Sequence, residues 1–261
     1  MNYYSAIIAS LSAATTLTAA MPASGQDKPW EFDIEIGVDR EPSYVGSDEY
    51  TTEADFGIQA TYTAPNETQW YVSTGGLGVL VPMARDYELT LELEYEPGRS
   101  NSDDPILAGF PKMENTWEFQ TILTRQFGDF TVGAGLQQDI LGNGKGLVGF
   151  IGAGYSRQLT ERLRVKTALD ISFANAEHMN TEVGISTATS QATGLAAYKP
   201  SGGYKGTSLS LGFDYAVSRK TALYADFSVE RYGSEIADSP LVSTHGSKVT
   251  TELAAGVRFN F

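Results

Sequence analysis

The sequence predicts an all-β chain, a transmembrane antiparallel up-and-down β-barrel of about twelve strands, with ten as the alternative. Three observations predict it. Apolar residues recur at every second position in segment after segment; several of these segments run about 10 to 15 residues without a break; and short and long connections alternate along the chain. A strand crosses a bilayer in about 9 to 11 residues and is apolar on one face only, so the composition stays close to that of a water-soluble protein.

Composition narrows the field further. The 261 residues carry 18 basic and 32 acidic side chains, a net charge of −14, which opposes binding to nucleic-acid phosphates. Cysteine is absent, which removes disulfides, thiolate nucleophiles and Cys-based zinc sites, and only two histidines are present. No apolar run reaches the roughly 18 residues of a spanning helix.

The amino terminus resembles a secretory leader. Ala6 to Ala20 is an uncharged run of Ala, Ile, Leu, Ser and Thr, followed by Pro22 and the small residues Ala23, Ser24 and Gly25. The expected division is a signal peptide at 1–25 and a barrel domain at 26–261. Met1 to Ser5 carries no Lys or Arg, which departs from the usual leader.

From Trp30 the period is two. Trp30, Phe32, Ile34, Ile36 and Val38 alternate with Glu31, Asp33, Glu35, Gly37 and Asp39. The same pattern returns at Ala54 to Tyr62, Tyr87 to Tyr95, Trp117 to Leu123, Leu163 to Phe173, Leu209 to Val217, Leu223 to Val229 and Val249 to Phe261. Short turns are expected at Ala64 to Glu67, Met83 to Asp86, Gln126 to Asp129, Gln158 to Arg162 and Ser218 to Lys220. Long loops are expected at Arg40 to Thr51, Pro97 to Asn115, Asp139 to Lys145, Asn175 to Lys205 and Gly233 to Gly246. Bacterial outer-membrane barrels have an even strand number, short periplasmic turns and long external loops. Parity closes at twelve if Gln69 to Val81 is two strands folded at Gly75-Gly76, a dipeptide expected to supply positive φ. A soluble β-sandwich alternates equally well, but its strands average about 5 to 6 residues. Aromatics at predicted strand ends, among them Trp30, Tyr62, Trp70, Tyr95, Trp117, Tyr155, Phe173, Tyr215 and Phe261, suit interfacial girdles.

With apolar faces to lipid, Glu31, Asp33, Glu35, Glu53, Asp55, Glu88, Glu92, Glu94 and Glu118 should face the lumen from the first half of the sheet. Arg164, Lys166, Lys248 and Arg258 should face it from the second, giving walls of opposite sign. That interior either favours cations in a pore or cross-links itself shut.

Catalysis finds little support. His178 and His245 lie in predicted loops without a nucleophile motif and read as exposed loop residues; Ser243 and Ser247 near His245 point to different sides. Asp48-Glu49 and Asp103-Asp104 could bond their own backbones or bridge divalent cations to lipopolysaccharide. Arg99 could pin its loop by pairing with Asp103 or Asp104. No catalytic, cofactor-binding or metal-binding residue is named, no cofactor is required, and the chain is read as a non-enzyme.

The loop motifs Pro42-Ser43-Tyr44-Val45-Gly46-Ser47-Asp48-Glu49-Tyr50, Tyr95 with Gly98-Arg99, Leu107-Ala108-Gly109, Thr193-Gly194-Leu195 with Tyr198, and Ser239-Pro240-Leu241-Val242 resemble the MipA/OmpV family of outer-membrane proteins. The closing Val257-Arg258-Phe259-Asn260-Phe261 resembles the signature read by the outer-membrane assembly machinery, an ending shared by many unrelated barrels. The resemblance implies the cell outer membrane, contact with lipid and lipopolysaccharide, and a scaffolding or interaction role. The best-known family member links a murein lytic transglycosylase to a murein synthase, and others are described as antigens or adhesins. A narrow cation-favouring channel is the alternative.

Overall fold

In the computed structural model, which describes residues 29–261, twelve antiparallel strands close into a single barrel, each paired with its sequence neighbours and the first with the last. The strands are β1 (Trp30–Pro42), β2 (Tyr50–Thr63), β3 (Gln69–Ser73), β4 (Gly76–Met83), β5 (Tyr87–Glu96), β6 (Thr116–Phe127), β7 (Phe130–Asp139), β8 (Leu147–Gln158), β9 (Leu163–Ala174), β10 (Gly203–Ala216), β11 (Thr221–Tyr232) and β12 (Val249–Asn260). The expected leader at 1–25 lies outside the described residues.

Alternation decides which way each side chain points. On β1, Phe32, Ile36 and Val38 stand outward with about half their surface exposed, while Asp33 and Glu35 turn inward. The same outward exposure of Phe56, Ile151, Leu169, Leu209, Phe227 and Leu253 carries the apolar belt around the barrel. Water would disfavour so large a greasy surface; lipid does not. Closure runs from Asp33 opposite Asn260 to Arg40 opposite Leu253, leaving no open edge.

The connections sort by rim as loop lengths predict. One end carries the short turns 64–68, 84–86, 128–129, 159–162 and 217–220, and the other carries 43–49, 74–75, 97–115, 140–146, 175–202 and 233–248. Ring pairs mark both rims: Trp30–Tyr62 at 5.2 Å and Phe130–Tyr155 at 4.8 Å by the short turns, Tyr95–Trp117 at 5.7 Å and Phe173–Tyr204 at 6.1 Å by the long loops.

Two expectations are corrected. Gly75 and Gly76 do form the hairpin between β3 and β4, yet neither adopts positive φ. Ser73 holds the turn instead, its Oγ accepting from the Gly75 and Gly76 amides at 3.2 and 3.1 Å. Gly76 is required by proximity, since a Cβ there would collide with the Leu93 carbonyl.

The walls are not segregated by sign. Asp170, Asp214, Asp226, Glu230 and Glu252 face inward from the second half of the sheet beside its few cations, because β9 to β12 also place polar residues on the inner positions of their alternation. Lys166 lies 3.0 Å from Asp214 and 3.9 Å from Asp226, and Arg258 reaches Glu35 at 2.8 Å and Asp214 at 3.6 Å. Gln120 donates to Glu94, Gln137 to Glu118 and Asn260 to Asp33 across neighbouring strands. Lys248 is not part of the strand wall: it precedes β12 and is exposed at the long-loop rim.

Candidate functional site: a plug in the long-loop mouth

The long loops do not splay outward. They carry a 3-10 turn (Pro105–Gly109) and four short helices, α1 (Ala176–Val183), α2 (Thr187–Thr193), α3 (Ser234–Ala237) and α4 (Pro240–His245). Local chemistry starts these elements. Asn175 caps α1 by accepting from the His178 amide at 2.9 Å, Ser186 caps α2 by accepting from the Thr189 amide at 3.1 Å, and Asp104 accepts from the Ile106 amide at 2.9 Å as the 3-10 turn begins.

Helices this short are not stable alone, so packing must hold them. One apolar cluster joins wall to plug: Val148 of β8, Ala174 of β9 and Tyr232 of β11 pack with Met179 and Val183 of α1, Ile236 of α3 and Val242 of α4. A second is made from loops alone, with Tyr44, Leu107, Phe110, Ile185, Leu195 and Leu241 in contact. Met179, Val183, Ile236 and Leu241 are fully buried. Among the described residues the wall keeps most of its apolar side chains outside, apart from Ile122 and Phe150, and the larger buried apolar clusters lie here.

Polar links lock the same loops. Tyr44 donates through its hydroxyl to the His245 carbonyl at 2.7 Å, Ser239 Oγ to the Val183 carbonyl at 2.7 Å, and the Tyr198 hydroxyl to the Glu235 carbonyl at 3.0 Å. Ser47 bridges to Gly246, and Ile185 to Tyr198. Gly46 has φ of 80°, and a Cβ there would lie 2.8 Å from the Val242 methyls, so this position needs glycine twice over.

Beneath the apolar layer lies a buried charge cluster. Lys145 Nζ sits 3.3 Å from Glu96 and donates to the Pro97 carbonyl at 3.2 Å; both members of the ion pair are almost wholly shielded. A bulge in β10 between Tyr204 and Gly206 turns Lys205 inward, where it is 1% exposed. Burial alone would push the Glu182 carboxyl up, but Lys145, His178, Arg99 and Lys205 around it hold it below the ordinary carboxylate value. Burial, reinforced by Lys205, pulls the Lys145 ammonium down to about 8. His178 is fully buried; its Nδ1 donates to the Lys145 carbonyl at 2.8 Å, and desolvation with Lys205 beside it pulls its pKa down to about 4.

This placement corrects two loop readings, those of His178 and Arg99. His178 is not exposed, because α1 presents it to the cluster; His245 is exposed at the end of α4. Ser243 is exposed, and Ser247 Oγ donates to the Val249 carbonyl at 2.6 Å, so neither is set up as a nucleophile. Arg99 does not pin its loop to Asp103 or Asp104. Its Nη1 donates to the Glu182 carbonyl at 3.0 Å, tying the 97–115 loop to α1, while Asp103 accepts from the Ser100 amide at 2.7 Å. Among the described residues no group of three or more His, Asp and Glu is arranged to hold a metal ion. The sequence carried no signal for Lys205, Glu182 or Met179 beyond ordinary loop composition.

A closed twelve-stranded barrel with a lipid-facing belt, aromatic rims and a mouth filled by its own loops defines an outer-membrane β-barrel protein. The sequence matches the family described as MltA-interacting protein MipA over residues 34–261, and the chain belongs to that family. It lies in the cell outer membrane. No curated protein sequence matches it. Among solved structures, an outer membrane channel from Pseudomonas putida is similar at 8% identity and a TM-score of 0.52, covering 92% of this chain and 100% of that one. The translocator domain of the autotransporter NalP from Neisseria meningitidis is similar at 11% identity and a TM-score of 0.49, covering 99% and 97%. At such identities the likeness concerns the fold.

Proposed function

We propose that this protein is a non-enzymatic scaffold of the outer membrane, holding a murein-cleaving transglycosylase, and through it a murein synthase, near the inner leaflet. The observation that carries the reading is the plug. Residues contributed by four loops seal the external mouth with an apolar core, an arrangement suited to a rigid platform that presents its short-turn rim to the periplasm. The family description, which names interaction with the transglycosylase MltA, supports the partner class. Affinity capture from gently solubilised envelopes tests it: a murein transglycosylase should remain bound to the full protein and should be lost when charges on the 159–162 and 217–220 turns are neutralised. Absence of any murein enzyme after crosslinking would sink the reading.

A second reading, a narrow cation-favouring channel, is favoured by the surplus of inward carboxylates on both halves of the wall. Sustained cation-selective steps in planar bilayers would establish it. The plugged mouth argues for small or absent conductance.

A further inference from the structure

The outward face at the long-loop rim changes its chemistry around the barrel. Counted from the short-turn end, the eleventh residue is Trp117 on β6 and Phe173 on β9, each in a ring pair that marks the interface. At the same position in that count β1 carries Arg40 and β11 carries Arg231, both outward and exposed. Only β12 separates these strands, and the exposed Lys248 precedes it. Two strand spacings set the arginines about 10 Å apart sideways, and the register sets them four residues apart along the sheet, Arg40 opposite Leu253 and Arg231 opposite Val249. That offset is about 13 Å, a span that two extended guanidinium side chains and one diphosphorylated headgroup can bridge.

None of the three cations forms an ion pair among the described residues. Arg40 lies over the Tyr50 ring at 4.1 Å, which fixes the guanidinium plane and leaves its N–H edges open to an anion. Arg231 borders an outward groove lined by Tyr204, Thr207, Leu209, Val229 and Ser234. Apolar below and polar above, that groove suits the junction between an acyl chain and a headgroup. Cations deep in the lipid belt would be costly, whereas at headgroup level they attract anionic lipid.

We propose that Arg40, Arg231 and Lys248 form a binding site for the phosphorylated headgroup of an outer-leaflet glycolipid, with an acyl segment seated in the groove beside Arg231. The site rests on the membrane location alone and not on the scaffold reading, so failure to capture a murein enzyme leaves it standing.

The test titrates the full protein, purified in detergent, with diphosphorylated lipid A in phosphatidylcholine mixed micelles, reading bound lipid by native mass spectrometry. A parallel titration uses lipid A stripped of its phosphates. Removing the phosphates, or substituting R40Q/R231Q, should weaken binding at least tenfold, and Arg231→Lys should retain most of it. Equal binding of the stripped lipid, or of the double variant, overturns the proposal. Heat-modifiable gel migration reports whether the variant folds. Should it not fold, the wild-type protein decides: raising salt to about 0.5 M must weaken lipid A binding, and an affinity indifferent to salt overturns the site.

Discussion

The wall and the plug bury opposite things. The wall turns its greasy side chains to the lipid and pairs carboxylates with Lys166 and Arg258 inside, whereas the plug hides Met179, Val183, Ile236 and Leu241 and seats a charge cluster beneath them. The wall is held by strand pairing that closes on itself, and each residue's role follows from its parity. The plug is held by side chains from loops far apart in sequence, so its members depend on one another. The wall should therefore absorb most single changes locally, and the plug should release as a unit.

The sharpest break expected is Glu182→Ala. It leaves Lys145, His178, Arg99 and Lys205 facing one another without their shared anion, and removal of one partner from such a buried set costs about 3 to 5 kcal/mol. The 175–202 loop should become cleavable by protease in intact cells while the barrel keeps its heat-modifiable migration. Simultaneous loss of both would show that plug and wall form one cooperative unit.

The counterpart in the wall is Phe227→Arg. Phe227 stands outward in the middle of β11, opposite Leu253, where a charge should cost about 2 to 4 kcal/mol. Urea unfolding of the barrel in lipid vesicles should shift by that amount, with protease resistance of the plug unchanged. An unchanged unfolding midpoint would deny that this face meets hydrocarbon.

Acid should separate the two regions as well. His178 has a pKa near 4 in the folded plug against about 6.5 when free, so the folded state binds fewer protons. Its contribution is complete above pH 6.5, fades as the pH falls, and is exhausted below about 4. The loss amounts to about 3 kcal/mol. Loop proteolysis should rise through that window, and His178→Gln should flatten the rise. An identical pH profile in the variant would assign the effect to the surrounding carboxylates.

The same contrast explains what could be read beforehand. Strand number, rims and inward or outward facing were legible, because a period of two and the alternation of loop lengths are local signals; even the short β3 and β4 followed from parity. The Gly75-Gly76 turn was placed correctly but for the wrong reason, since close approach to Leu93 leaves no trace in a dipeptide. His178 looked like a loop histidine because nothing near it in the chain announces Lys205, which reaches it through a bulge, or Glu182 one turn along α1. Arg99 was singled out rightly, yet its partner lies 83 residues away.

The smallest effect tests what the family motifs are for. Ser43 to Ser47, Arg99, Leu107, Leu195, Tyr198 and Ser239 to Val242 were read from loops that share no local structure, and the fold gathers them into the plug. Ser239 is the clearest case: fully buried, it contributes no apolar area, and its hydroxyl satisfies the carbonyl at the end of α1. Ser239→Ala keeps the shape and orphans that carbonyl, at a cost of about 1 to 2 kcal/mol. Hydrogen exchange should quicken at α1 and α4 together, with β8 and β9 unmoved. Exchange confined to α4 would mean that the motif merely shapes its own turn; coupled exchange across 56 residues of sequence would mean that these signatures record how one loop grips another.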